Sequence, residues 1–193
     1  RTSVDGQVFI ISIYSFSADL SDRFRTALRE YEESDAKALI IDLRNNPGGY
    51  LNSAVELSSW FADANQVLVR EENDNDERLY RSKGYYAEVL DTQPIAVLVN
   101  QGSASASEIM AGILQDYDLA TIVGENTYGK GSVQELVPLD NGTAIKITTA
   151  RWLTPNGRSI SDGGLDPDVE IEDDFDTLEI DEQIEEAKRI LGF

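Results

Sequence analysis

Hydrophobic positions along this chain follow two alternating periods. Continuous apolar runs at Val8–Tyr14, Ala38–Leu43 and Pro94–Val99 have the length of buried strands, whereas Leu20, Phe24, Leu28 and Tyr31 recur at spacings of four, four and three and predict an amphipathic helix over Ala18–Tyr31. Helical spacing returns over Leu51–Phe61, and again through Ile109, Ile113 and Leu114 to an end near Asp118. It appears last over Ile180–Leu191, whose acidic start and terminal Lys188 and Arg189 complement a helix dipole. Gln66–Glu71, Glu77–Arg81, Ala120–Val123, Val133–Leu139 and Ala144–Trp152 read as further strands. Asn141-Gly142 is a hairpin signal between the last two, Glu72–Asp76 reads as a solvated acidic connection, and Asp173–Asp176 as a connector to the final helix. The alternation predicts an α/β domain: a parallel-leaning sheet with packed helices, and a smaller antiparallel piece around the hairpin.

Composition narrows what such a domain can do. At 193 residues and 41% hydrophobic, the chain fits one domain, 1–193, with 177–193 as a C-terminal helical segment, and no apolar run approaches a membrane span. Thirty-six acidic residues against 16 Lys plus Arg give a net charge of −20, which argues against nucleic acid and anionic membrane surfaces as partners. The chain has no His and no Cys, which removes Ser-His-Asp triads, Cys-His dyads and Cys-ligated zinc. A nucleophile has to be Ser, Thr, Lys, Tyr or a carboxylate, and a metal would need oxygen ligands. A start at Arg1 without Met or signal peptide reads as a mature form or an excised domain, and the absence of Cys fits either redox compartment.

Two strand-turn-helix corners set small residues where a helix start points free backbone N–H groups outward. The first, Asp42-Leu43-Arg44-Asn45-Asn46-Pro47-Gly48-Gly49, carries paired glycines able to turn an N–H toward a developing oxyanion; an ordinary βα turn uses the same residues. The second, Asn100 to Glu108, carries Ser105-Ala106-Ser107-Glu108. That segment fits an S-x-x-E capping box, and it is equally where a hydrolase places a serine nucleophile on a sharp turn. Periodicity alone does not separate the two. Without His, the group left to activate a serine is a lysine. Lys130, between Gly129 and Gly131, sits where the chain can approach another element, and burial there would favour the neutral amine a base needs; a solvated turn lysine is the plain alternative.

Taken together, Asp42–Gly49, Gly102-Ser-Ala-Ser-Ala-Ser-Glu108 and Thr127-Tyr-Gly-Lys-Gly-Ser-Val-Gln134 closely resemble the carboxy-terminal processing peptidases, Ser-Lys serine proteases related to tail-specific protease and the tricorn core. Thr148–Ile160 and Gly164–Asp168 extend the resemblance, which runs in order from about Val8 to Glu170. It implies an α/β, crotonase/ClpP-like core with a mixed sheet and packed helices, plus a small antiparallel hairpin region. It also implies a serine endopeptidase that acts on peptide or protein substrates without metal or cofactor, outside the bacterial cytoplasm in the periplasm or cell envelope, or in a thylakoid lumen. Ser105 matches the nucleophile, Lys130 the general base and Gln134 the residue that orients the lysine amine. The N–H of Ala106 and one from Gly48 or Gly49 would form the oxyanion hole, and Ser103 and Ser107 would support the turn. The chain departs from the family pattern in having no room for the PDZ domain that captures substrate C-termini by strand addition and gates activity. A latent or non-catalytic peptide-binding fragment is therefore the rival expectation, and an acyl-CoA enzyme of the crotonase type a more distant one.

Overall fold

The computed structural model describes residues 1–139, 142–161, 163–172 and 181–193. In chain order its elements are β1 (Thr2–Asp5), β2 (Val8–Ser12), α1 (Leu20–Glu33), β3 (Ala38–Asp42), α2 (Leu51–Ser58), β4 (Val67–Glu72), β5 (Glu77–Arg81), α3 (Glu88–Thr92), β6 (Ile95–Val99), α4 (Ala106–Asp116), β7 (Thr121–Gly124), β8 (Ser132–Pro138), β9 (Ala144–Leu153), β10 (Val169–Glu170) and α5 (Glu182–Leu191). The three apolar runs become adjacent central strands of a sheet ordered β1-β2-β3-β6-β7-β10. From β2 to β10 all neighbours are parallel, and β1 closes one edge antiparallel to β2.

Continuous apolar runs are what a sheet covered on both faces requires. Alternate residues Phe9, Ile11, Leu39, Ile41, Val97 and Val99 join a core with α1, α2 and α4 on one face. Val8, Ile10, Ile40, Ala96 and Leu98 face the other way, against Ala187 and Leu191 of α5. The mixed α/β architecture therefore follows directly from the pattern of the chain.

Differences from the expected elements have local causes. The antiparallel part is not a lone hairpin but a second sheet, β5-β4-β9-β8, because β4 pairs with the far end of β9, an association that no local pattern announces. Strand β1, the short helix α3 and the two-residue β10 were not expected: β1 is a mostly exposed edge and carries little apolar signal. Asn141 of the hairpin signal, the Asp173–Asp176 connector and residues 177–180 lie outside the described residues.

Parallel strands present their C-terminal ends on one side, where open α/β sheets place ligands. Here β3 and β6 end side by side, the N–H of Leu43 donating to Leu98 O at 2.9 Å, and each runs straight into one of the two small-residue corners.

Candidate active site

Asn46 organises the first corner. Its side chain is fully buried; Nδ2 donates to Ile13 O at 2.6 Å and Oδ1 accepts from the Gly48 N–H at 2.9 Å. Its carbonyl reaches into the second corner and accepts from the Ala104 N–H at 3.0 Å and the Ser107 Oγ at 2.9 Å. Gly48 adopts φ +96° and lies so close to the second corner that a Cβ on it would stand 2.6 Å from Ala104 O, 2.8 Å from Ser105 Cβ and 2.9 Å from Ala106 N. Only glycine meets both conditions, the positive φ and the contact.

The second corner is sewn to the first by two further side chains. Ser103 Oγ donates to Leu43 O at 2.8 Å and accepts from the Asn100 N–H at 3.0 Å, while Asn100 Oδ1 accepts from the N–H of Asn45 at 2.8 Å and of Gly102 at 3.0 Å. With Ser107, these bonds give both flanking serines the supporting positions expected of them. Ser105 itself, the N-cap of α4, is held at φ +56°, ψ −115°, a region costly for a residue with a Cβ. Strain of this kind at a strand-to-helix corner turns a serine outward from the top of a sheet.

Glu108 brings in the third motif. Its carboxylate is fully buried and receives four donors: the Ser105 N–H (2.7 Å) and Lys130 N–H (2.9 Å) on Oε2, the Thr127 hydroxyl (2.6 Å) and Gly129 N–H (2.6 Å) on Oε1. That uses the full acceptor capacity of a carboxylate. The capping partner expected of Glu108 is thus present, but the same side chain also gathers the Thr127–Lys130 segment beside α4. Tyr128 adds a further tie, its N–H donating to Ser103 O at 3.0 Å.

The structure brings Ser105, Ala106, Gly48 and the Lys130 backbone together. Of the two readings of Lys130, the structure shows the solvated turn lysine: the residue is exposed, although its glycine neighbours do approach another segment, a Cβ on Gly131 standing 2.6 Å from Ser161 N and one on Gly129 3.0 Å from Gly164 N. Gln134 lies on β8, exposed, next to a bulge between Val133 and Gln134, and among the described residues no hydrogen bond joins it to Lys130 or Ser105. Of the two glycines, Gly48 already donates its N–H to Asn46, whereas among the described residues the N–H groups of Gly49 and Ala106 have no acceptor. Gly49 is exposed, whereas Ala106 is fully buried. Exposed Tyr50 and Tyr128 flank these groups in sequence. Among the described residues no group of three or more acidic side chains is arranged to hold a metal ion.

Sequence reasoning missed Asn46 and Asn100, and saw Glu108 only as a cap. Their signal, buried polar types in turn-rich segments, is indistinguishable from ordinary turn chemistry until the partners are known.

Comparison with known proteins adds an independent line. The family model described as peptidase family S41 matches residues 7–171. The chain is 40% identical over 162 residues to the carboxy-terminal processing protease CtpB of Bacillus subtilis, covering 83% of this chain and 33% of that protein. It is 37% identical over 167 residues to a probable CtpA-like serine protease of Staphylococcus aureus, covering 86% of this chain and 34% of that protein. Among solved structures, the photosystem II D1 C-terminal processing protease superposes with a TM-score of 0.80 at 31% identity, over 96% of this chain and 47% of that one. The chain thus spans about a third of the length of the curated relatives it matches.

Proposed function

Since this chain belongs to peptidase family S41, matched over residues 7–171, we propose that it hydrolyses peptide bonds as a carboxy-terminal processing serine endopeptidase, with Ser105 as nucleophile and Lys130 as general base. The observation that carries this reading is the position of Ser105: on a strained corner, beside two backbone N–H groups without acceptors, and tied through one oxygen of Glu108 to the segment bearing Lys130.

In the reaction, the free amine of Lys130 takes the Ser105 hydroxyl proton as Oγ attacks the scissile carbonyl carbon. The carbonyl oxygen becomes an oxyanion held by the N–H groups of Ala106 and Gly49; engagement of the Gly48 N–H by Asn46 supports Gly49 as the second donor. Collapse of the tetrahedral intermediate breaks the C–N bond, and Lys130 returns its proton to the leaving amine. Water then attacks the acyl-enzyme, Lys130 taking its proton; the acyl C–Oγ bond breaks, the acid is released and Lys130 returns the proton to Oγ, which regenerates Ser105. Lys130 is exposed here, so in this reading bound substrate excludes water from the dyad, and Gln134 is the residue that orients the lysine amine. No cofactor takes part. The substrate is a peptide or unfolded protein, and the site of action is extracytoplasmic, as the family resemblance implies.

Incubation with unfolded casein, fragments read by mass spectrometry, tests this. Cleavage by the wild-type chain that disappears in Ser105→Ala and in Lys130→Ala, each shown to be folded by circular dichroism, supports the reading. Wild-type-like cleavage by Ser105→Ala refutes the nucleophile.

A further inference from the structure

Arg44 is where the C-terminal helix meets the loop that carries the two glycines. All five N–H donors of its guanidinium are used: Nε to Asp42 Oδ1 at 3.0 Å, Nη2 to Asp42 Oδ2 at 2.9 Å and Asp181 Oδ2 at 2.8 Å, and Nη1 to Asp181 Oδ1 at 2.8 Å and Gln183 Oε1 at 3.2 Å. Two bidentate carboxylates on one largely buried guanidinium, 13% exposed, make this unlike an ordinary surface pair. Asp42 is only two residues from Arg44 and holds it locally. Asp181 is 137 residues away and fixes it against another element.

Asp181 has a second task. As the N-cap of α5 it accepts the Ile184 N–H at 2.9 Å, and Gln183, fully buried, anchors the same turn to Ile171 O at 3.0 Å. Helix α5 packs on the face of β3 and β6 opposite α2 and α4, through Ala187 and Leu191. Its N-terminus therefore stands at the end of β3, where residues 43–49 begin. From Arg44 onward, that loop supplies the Asn46 carbonyl to Ala104 and Ser107 on either side of Ser105.

We propose that α5 orders the glycine-bearing loop, with Asp181 as a positioning residue that acts through Arg44 on the Gly49 oxyanion donor. The effect on catalysis rests on the peptidase reading; the ordering of the loop does not. Without Asp181, Arg44 keeps only its local partner and the loop loses its one long-range ionic tether among the described residues.

The test exploits the double role of Asp181. Asn caps a helix as well as Asp, so Asp181→Asn keeps the bond from Ile184, but it turns an amide donor toward guanidinium donors and breaks the bidentate pair. Hydrogen exchange on the 193-residue chain, well below its melting transition, should show the amides of Asn45, Asn46 and Gly48, which bond to Asn100, Leu43 and Asn46, exchanging about tenfold faster or more, with β3 amides unchanged, while loss of the largely buried pair lowers the melting temperature. In casein cleavage, kcat should fall about tenfold with KM within about twofold. Glu186→Gln, the same charge change on α5 away from Arg44, should move neither. Unchanged loop exchange in Asp181→Asn overturns the proposal. Faster exchange with unchanged kcat overturns the positioning role and leaves only the tether. An inactive wild type would defeat the peptidase reading, and with it the positioning role, while exchange still decides whether α5 orders the loop.

Discussion

Ser105 and Lys130 hang their backbone N–H groups on a single atom, the Oε2 of buried Glu108, at 2.7 and 2.9 Å. The candidate nucleophile and base come from different motifs, and this oxygen is a direct physical link between their backbones.

Glu108→Gln should therefore damage both activity and stability. Gln keeps one acceptor oxygen but directs an amide donor at two of the four N–H or O–H groups now bound, leaving them buried without partners. Loss of charged hydrogen bonds in a buried site costs about 2 kcal/mol or more, a fall in Tm of roughly 4–8 °C for a chain of this size. Displacement of Ser105 relative to Lys130 should lower kcat/KM by about a hundredfold or more. Differential scanning calorimetry and peptidase assays check the two effects; a wild-type rate in Glu108→Gln would contradict the clamp.

Gly48→Ala should fail for two reasons at once. The position has φ +96°, and a methyl there would press on Ala104 O, Ser105 Cβ and Ala106 N. A matched control is Gly157→Ala, where φ is +82° but nothing lies within 4 Å of the added carbon. Both variants carry the backbone strain, about 1–3 kcal/mol, and only Gly48→Ala should abolish cleavage. Comparison of the two by urea denaturation and by activity separates strain from the contact with the site.

How far the sequence speaks for itself is clear from these same residues. The apolar runs at Val8, Ala38 and Pro94 announce the central strands because both faces of the sheet are covered, and the Ser105 corner announces itself through small residues around a helix start. Glu108, Asn46 and Arg44 speak only through partners. Each makes its decisive bonds to residues far along the chain, at Lys130, Ser107 and Asp181, and spacing carries no information about such pairings. For the same reason β4 could be foreseen as a strand but not as a neighbour of β9, and Lys130 as a residue of a tight turn whose burial or exposure its glycine neighbours leave undecided.

Alkaline pH should destabilise the fold through Tyr31. Desolvation pushes this phenol up to about 12, against an ordinary value near 10 in the unfolded chain. A raised folded value means the stability it supports is complete below pH 10 and is lost as pH climbs toward about 12. The hydroxyl is also buried with no hydrogen-bond partner among the described residues. Tyr31→Phe should raise stability at neutral pH by about 1 kcal/mol and flatten the decline between pH 10 and 12. Denaturant titrations at pH 7 and 11 test it; equal declines in both proteins would remove Tyr31 as the cause.

A net charge of −20 sets the salt response. Self-repulsion of the compact state is screened as the Debye length falls from about 30 Å at 0.01 M to about 3 Å at 1 M salt. Tm should rise over that range in sodium chloride, read by calorimetry. A fall would mean that surface ion pairs such as Arg151–Glu72 and Arg70–Glu77 outweigh the repulsion.

The central claim is that Ser105 is the group that becomes acylated, and the most direct measurement is to trap it. The chain would be mixed with a peptide p-nitrophenyl ester, quenched in acid within the first turnover, digested and mapped by mass spectrometry. One acyl group on the peptide containing Ser105, forming much more slowly in Lys130→Ala and absent in Ser105→Ala, is the predicted result. An acyl group found elsewhere, or forming at the same rate in Ser105→Ala, would contradict it.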